Sequence, residues 1–204
     1  MRKIFVTGIG TDVGKTVVSS ILVEALKADY WKPIQTGAFY STDSEKLKDF
    51  ISNENTIIHP EAYSFQQPMS PHAAAEQLGT SVSLSNINLP QTNNSTIIIE
   101  GAGGIMVPLN DSEFMVDLIQ KLEAETVLVI QNYLGSINHS LLSIDALQRR
   151  NVKILGIIFN GAPHQLSEDI VLKYSSLKCL GKISKELELN KRIISRYAQD
   201  FKGI

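Results

Sequence analysis

The feature that most constrains this chain is an apolar strand that ends in glycine and runs directly into a helix. Lys3–Thr7 is followed by Gly8-Ile9-Gly10-Thr11-Asp12-Val13-Gly14-Lys15-Thr16, and a helix is expected from Val17 to Lys27. Glycines in that position let backbone N–H groups point inward around an anion, and the helix N-terminus adds positive potential. Lys15 can bridge the outer phosphates and the Thr16 hydroxyl can ligate Mg²⁺. Asp12, Val13, Gly14, Lys15, Thr16 and Val17 are therefore the expected phosphate-end contacts of a bound nucleotide. Five residues separate Gly8 from Gly14, one more than the usual loop carries. A glycine turn ending in Lys-Thr by coincidence is the bland alternative, and the flanking strand and helix argue against it.

The rest of the chain fits that beginning. Ile97–Glu100, Val127–Gln131 and Ile154–Asn160 are further nearly continuous apolar runs. Between them, Met115, Leu118, Ile119 and Leu122 form one helical stripe, and Ile137, Leu141 and Ile144 another. Strands apolar on both faces, alternating with helices, predict an α/β fold. It is a mostly parallel sheet with helices on both faces, of the phosphate-loop NTPase type, in a single domain over residues 1–204. Ligands of such sheets bind beyond the carboxyl ends of the strands, which points to Gly8, Glu100, Asn132 and Asn160. Thr36–Asn55 reads as a polar, partly mobile stretch, and Thr80–Ser95 as loop or short helix.

Composition narrows the class. With 43% hydrophobic and 20% charged residues and a formal charge of −2, the chain is an ordinary globular one without a basic nucleic-acid-binding surface. Cys179 is the single cysteine, expected to be a small buried residue beside Leu177 and Leu180. No apolar run reaches the ~18 residues that span a bilayer, and a strand begins too early to leave room for a signal peptide. A cytoplasmic protein is expected. His59, His72, His139 and His164 lack metal-ligand spacing.

Thr96-Ile97-Ile98-Ile99-Glu100 adds an acid at a strand end, where these NTPases orient Mg²⁺. Gly101-Ala102-Gly103-Gly104 follows at once and lets backbone pass close to a ligand. Glu100, Gly101, Ala102 and Gly103 join the expected nucleotide site.

Five motifs, in order, become family-specific. They are the extended loop Gly8–Thr16, Lys32-Pro33-Ile34-Gln35-Thr36-Gly37, Ser70-Pro71-His72, Glu100–Gly104, and Leu134-Gly135-Ser136-Ile137-Asn138-His139. Together they resemble the dethiobiotin synthetase family. The resemblance implies an ATP-dependent ligase of biotin synthesis that carboxylates 7,8-diaminopelargonic acid with CO2 and closes a ureido ring. It implies Lys32 and Lys15 as catalytic lysines, with Pro33 restricting the backbone that aims Lys32. It implies Thr36 and Thr11 as substrate contacts, and Mg²⁺ on Thr16, Glu100 and Asp43, with Asp49 as the alternative acid. Asp12 either orients a substrate amine or makes local Asx-type hydrogen bonds. Ser136, Ile137 and Asn138 start a helix, with Ser and Asn in capping positions, that takes the substrate carboxylate in the other subunit's site; a homodimer is implied. Asn160 is implied to read the nucleotide base. His72 and His139 either shape the substrate site or bond structurally.

Two other readings compete with this one. Partitioning and site-selection ATPases commonly carry a lysine just after the loop's first glycine, where Ile9 stands here. Some touch membranes with a basic C-terminal helix, and Lys191–Lys202 mixes basic with apolar residues; packing of that apolar side on the sheet is the favoured reading. Amide-forming ligases of cofactor synthesis bring a glutamine-hydrolysing domain for which this length has no room. One departure from the resemblance lies at the base end: Gly181-Lys182-Ile183-Ser184 stands where many members have Gly-x-Ile-Pro.

Overall fold

Residues 1–39 and 41–204 are described by a computed structural model of the chain. Its centre is a seven-stranded sheet in which every pairing is parallel. In chain order the strands are β1 (Arg2–Gly8), β2 (Asp29–Trp31), the short β3 (Ile34–Gln35), β4 (Ile58–His59), β5 (Tyr63–Ser64), β6 (Thr96–Gly104), β7 (Glu125–Gln131), β8 (Ile154–Asn160) and β9 (Cys179–Ile183). Across the main sheet they lie in the order β4-β2-β6-β1-β7-β8-β9, while β3 and β5 pair separately. Among the described residues seven α-helices connect them: α1 (Lys15–Leu26), α2 (Asp43–Phe50), α3 (Pro71–Gln77), α4 (Met115–Leu122), α5 (Ser136–Arg149), α6 (Gln165–Ser175) and α7 (Lys191–Ala198).

The alternation of side chains along central strands divides the core into two. Ile4 and Val6 of β1 and Ile98 of β6 face α1, with Val18, Ile21 and Leu22, and reach Ile194 of α7. Phe5, Ile97 and Ile99 face the other way, toward Ala74 and Ala75 of α3 and the stripe Met115, Leu118, Ile119 and Leu122 of α4. A strand buried on both faces needs apolar residues at every position, which is why these strands read as continuous runs. The order of strands places β1 between β6 and β7, so Gly8 opens near the centre of the carboxyl edge.

Several expectations change. Thr36–Asn55 contains α2, begun by a capping box in which Thr42 and Glu45 bond each other's backbone N–H groups; Tyr40 lies outside the described residues. The helix reads as polar because Leu47 alone among its residues is buried. The stripe expected on α5 holds only at Ile144: Ile137 is exposed, and the covered face runs Ser136, Ser140, Ile144, Leu147. Small residues allow the helix a close approach there, and a count of apolar residues misses them. Gly135, not a polar side chain, caps α5, at φ 104°. Strand β6 continues past Glu100 to Gly104. Cys179 is exposed rather than buried, because β9 is the outermost strand of the sheet. Thr80–Ser95 is loop with one short 3₁₀ turn at Leu84–Asn86, as expected.

Candidate active site

The loop after β1 is shaped by backbone geometry. Gly14 caps α1 at φ 91°, and Asp12 is also left-handed at φ 57°. Glycine adopts such angles without penalty, whereas a Cβ there is strained. Lys15 Nζ folds back to donate to the Gly10 carbonyl at 2.8 Å. It is buried, and burial is the main reason its pKa falls from 10.5 to about 8; Glu100 opposes the shift and the Lys32 ammonium adds to it. A buried lysine short of counter-charge at a helix N-terminus is built to receive an anion.

Beside the loop, three chain-distant elements converge. Thr16, at the start of α1, has its hydroxyl 2.9 Å from Glu100 Oε1 and 3.1 Å from Asp43 Oδ1. Lys32, between β2 and β3, donates to Glu100 Oε1 at 3.0 Å and also to Asp43 Oδ2. Lys32 and Glu100 are only 4% and 1% exposed. Burial alone would lower the Lys32 pKa, but Glu100 and Asp43 outweigh it and hold the ammonium above its ordinary range. Likewise burial would raise Asp43, and the Lys32 charge and hydrogen bond hold it below the usual carboxylate range. The cluster thus sets two carboxylates and the Lys32 ammonium beside a hydroxyl, with Lys46 Nζ 3.7 Å from Asp43 Oδ1 at its edge. Such a set of hard oxygen donors fits Mg²⁺, with Thr16, Asp43 and Glu100 the residues to hold it. Asp49 is exposed on α2 away from this point, so the geometry brings Asp43 rather than Asp49 to Thr16.

A cavity of about 740 Å³ joins the loop to this cluster. Thr11, Asp12, Gly14, Lys15, Thr16 and Val17 form one wall, and Lys32, Thr36, Asp43, Glu100, Ala102 and Gly103 another. Among the described residues nothing hydrogen-bonds the Asp12 carboxylate, so the Asx-type alternative has no bond to carry it. Other expected residues stand outside the cavity. The Val13 side chain is buried in the core, and Gly101 is glycine because a Cβ would strike the Phe5 ring at 2.8 Å. Ser136 is buried, while Ile137 and Asn138 are exposed on α5 and do not line this space. The Asn160 amide bonds the loop, donating from Nδ2 to the Val13 carbonyl at 2.9 Å.

Two residues that sequence reasoning missed hold the cluster in place. The Tyr30 hydroxyl, fully buried, donates to Glu100 Oε2 at 2.9 Å. Its pKa is pushed well above the ordinary value by burial and then by the Glu100 charge, so it stays a donor. Gln35 Oε1 accepts from the Asp43 backbone N–H at 3.0 Å and so anchors the start of α2. Residues two apart on an extended chain share a face, so the spacing of Tyr30 from Lys32 was the available signal for the first.

Fold, loop and acid cluster together define a phosphate-loop NTPase. A family model described as an AAA domain matches residues 2–192. The fold is shared with the cell division ATPase MinD of Pyrococcus furiosus (TM-score 0.59, 14% identity, 100% of this chain and 99% of that one). It is also shared with a ParA family ATPase of Chlorobium tepidum (TM-score 0.58, 11% identity, 97% and 98%); at such identities the likeness speaks for fold alone. Sequence relatives are more specific. The ATP-dependent dethiobiotin synthetase BioD of Cytophaga hutchinsonii is 49% identical over 97% of this chain and 96% of its own. Those of Christiangramia forsetii (48%, 98% and 96%) and Chlamydia pneumoniae (40%, 100% and 91%) follow. The chain belongs to the ATP-dependent dethiobiotin synthetase family.

Proposed function

We propose that this chain carboxylates 7,8-diaminopelargonic acid with CO2 and closes the ureido ring at the expense of ATP, as a cytoplasmic homodimeric enzyme. The observation that carries the reading beyond nucleotide binding is the second buried lysine, Lys32, set beside Thr16, Asp43 and Glu100. A simple NTPase needs Lys15 for its phosphates; a carbamate-forming ligase must also offset a second anion at the γ-phosphate.

The chemistry divides into one addition and two displacements. One amine nitrogen attacks CO2 and loses a proton, giving a carbamate. A carbamate oxygen attacks the γ-phosphorus, and the bond to ADP breaks. The second amine then attacks the carbamoyl carbon, losing a proton as phosphate departs and the ring closes. Lys15 and the loop N–H groups hold the triphosphate, and Lys32 holds the carbamate in line with it. Thr16, Asp43 and Glu100 would hold Mg²⁺, which would supply charge neutralisation at the phosphate oxygens, and Lys32, paired with the same two carboxylates, would then be free to face the carbamate. Asp12, exposed and unbonded at the cavity wall, suits an amine of the substrate, with Thr11 and Thr36 contacting it nearby. Ile137 and Asn138, exposed near the start of α5 and outside this cavity, with Ser136 buried beside them, suit the substrate carboxylate in the site of a second copy.

The test is release of ADP and phosphate from purified protein with each reactant omitted in turn. Turnover is expected only when diamine, bicarbonate, Mg²⁺ and ATP are all present. Hydrolysis at a rate indifferent to the diamine would sink the synthetase reading and leave the NTPase.

A further inference from the structure

Glu168 is a buried charge that takes no part in the chemistry above. It belongs to α6, whose covered face runs Glu168, Val171, Ser175, so a carboxylate stands where helical spacing calls for an apolar residue. It is 1% exposed. A charge buried to that degree carries a heavy desolvation cost and persists only where specific partners meet it. Those partners come from three neighbouring strand ends. Oε1 accepts from Asn132 Nδ2, just past β7, at 2.8 Å, and from the His164 backbone N–H, in the turn between β8 and α6, at 2.9 Å. Oε2 lies 2.6 Å from Lys182 Nζ of β9. Asn132 Nδ2 also donates to the Ala162 carbonyl at 3.1 Å, and the Gly161 N–H to the Ile183 carbonyl at 2.8 Å. One side chain thus gathers the turns leaving β7, β8 and β9 into a single block. Asn160, immediately before the clamped turn, braces the phosphate loop at the Val13 carbonyl. Asn132 opens the segment that leads to Gly135, the cap of α5.

We propose that Glu168 is a positioning residue whose Oε1 fixes the β7–α5 and β8–α6 turns against each other. In doing so it sets both the brace on the phosphate loop and the start of α5. Lys182 serves a different end: its ammonium neutralises the carboxylate at Oε2 and lowers the cost of burying it. The two oxygens therefore divide the work, Oε1 placing the turns and Oε2 carrying the counter-charge. For the phosphate loop the inference needs nucleotide binding alone. For the start of α5 its meaning rests on the proposed use of that helix in the site of a second copy. The clamp then links a subunit's own nucleotide site to the surface it lends to its neighbour.

Three variants separate the two oxygens. Glu168→Leu removes both, Glu168→Gln keeps an acceptor for Asn132 and His164 but drops the charge, and Lys182→Met removes the counter-charge alone. Each is read by equilibrium binding of ADP and by hydrogen exchange over residues 133–139 and 161–164, at a temperature where every variant is folded. Glu168→Leu is expected to bind ADP about tenfold more weakly, the factor for one lost hydrogen bond of the scaffold. It should also exchange faster in both segments while the β1 amides keep their protection. Glu168→Gln should bring both readouts back near those of the intact protein. Lys182→Met should lower the thermal midpoint yet leave ADP affinity and both segments unaltered. Unchanged ADP affinity in Glu168→Leu, or unchanged exchange in either segment, would overturn the proposal. Equal losses in the leucine and glutamine variants would overturn it too, since the charge and not Oε1 would then be responsible. Should Glu168→Leu not fold, Asn132→Ala decides: faster exchange over 161–164 upholds the link between the turns, and no change there overturns it. The expected pattern in a protein that makes no product from the diamine would sink the synthetase reading and leave this one standing.

Discussion

At the scale of single residues, the site is a problem of counter-charge. Lys15 has a native pKa near 8, below its ordinary 10.5. The sign follows directly: in the unliganded protein the burial penalty on its ammonium is fully present below about 8 and is relieved as pH rises toward 10.5. A triphosphate restores a counter-charge and lifts the pKa, so binding takes up a proton once pH exceeds about 8. ATP affinity should thus hold steady below pH 8 and fall above it. Calorimetry in buffers of different ionisation enthalpy should show proton uptake at pH 8.5; uptake of none would refute this account of Lys15. Tyr30 acts at one remove, holding Glu100 Oε2 so that Oε1 faces Thr16 and Lys32. Tyr30→Phe strands a buried carboxylate oxygen and should cost about 1–3 kcal/mol of stability in urea denaturation. It should also weaken Mn²⁺ binding, read by EPR with ADP present, by roughly 10-fold or more, the usual effect of losing a group that orients a metal ligand. Lost stability with intact Mn²⁺ affinity would reduce Tyr30 to a packing residue. The phosphate loop was legible in sequence because its glycines answer to backbone geometry that no other residue satisfies. For Tyr30 the sequence offers only its two-residue spacing from Lys32, and which acid its hydroxyl meets is settled only once β2 is paired with β6.

At the scale of elements, the same contrast holds. Strands β1, β6, β7 and β8 were readable because burial on two faces demands an unbroken apolar run. Helix α2 was missed although its start signal, Thr42-Asp43-Ser44-Glu45, has the spacing of a capping box. Leu47 is the one fully buried residue of the helix, so no apolar stripe announces it. Yet this small helix carries Asp43, and its first turn is fixed by Glu45 N–H donating to Thr42 Oγ1 at 3.1 Å and Thr42 N–H donating to Glu45 Oε2 at 2.8 Å. Thr42→Ala should cost about 1 kcal/mol, the worth of an N-cap. It should weaken Mn²⁺ binding through Asp43, and Thr42→Ser should restore both. Metal affinity indifferent to the alanine would mean that Gln35 alone suffices to place Asp43. Helix α5 shows the opposite: its apolar spacing points Ile137 to the covered face, but Ser136 and Ser140 occupy that face and Ile137 is exposed.

At the scale of the molecule, the fold is shared with a ParA family ATPase and a MinD ATPase, and α7 is the element that bears on whether this chain could touch a membrane. An amphipathic C-terminal helix serves a membrane only if its apolar side is free to enter the interface. In α7 that side is occupied. Ile194 is 0% and Ala198 2% exposed, and Phe201, just beyond the helix, is 1% exposed, all set in the core over α1. Its Arg196 is spent on Glu186 and on the face of the Tyr197 ring, 4.8 Å from the centroid. Freeing the apolar side would empty the core of Ile194 and Phe201, at several kcal/mol of lost burial, more than a shallow interfacial helix regains. Two measurements follow from this placement. Ile194→Ala should destabilise the protein by about 2–5 kcal/mol, the range for truncating a fully buried isoleucine. The unaltered protein should stay in the supernatant with anionic vesicles whether ATP or ADP is present. Sedimentation that depends on ATP, with Ile194→Ala costing little, would mean that α7 leaves the core and that the chain behaves as its distant structural neighbours' fold alone would allow.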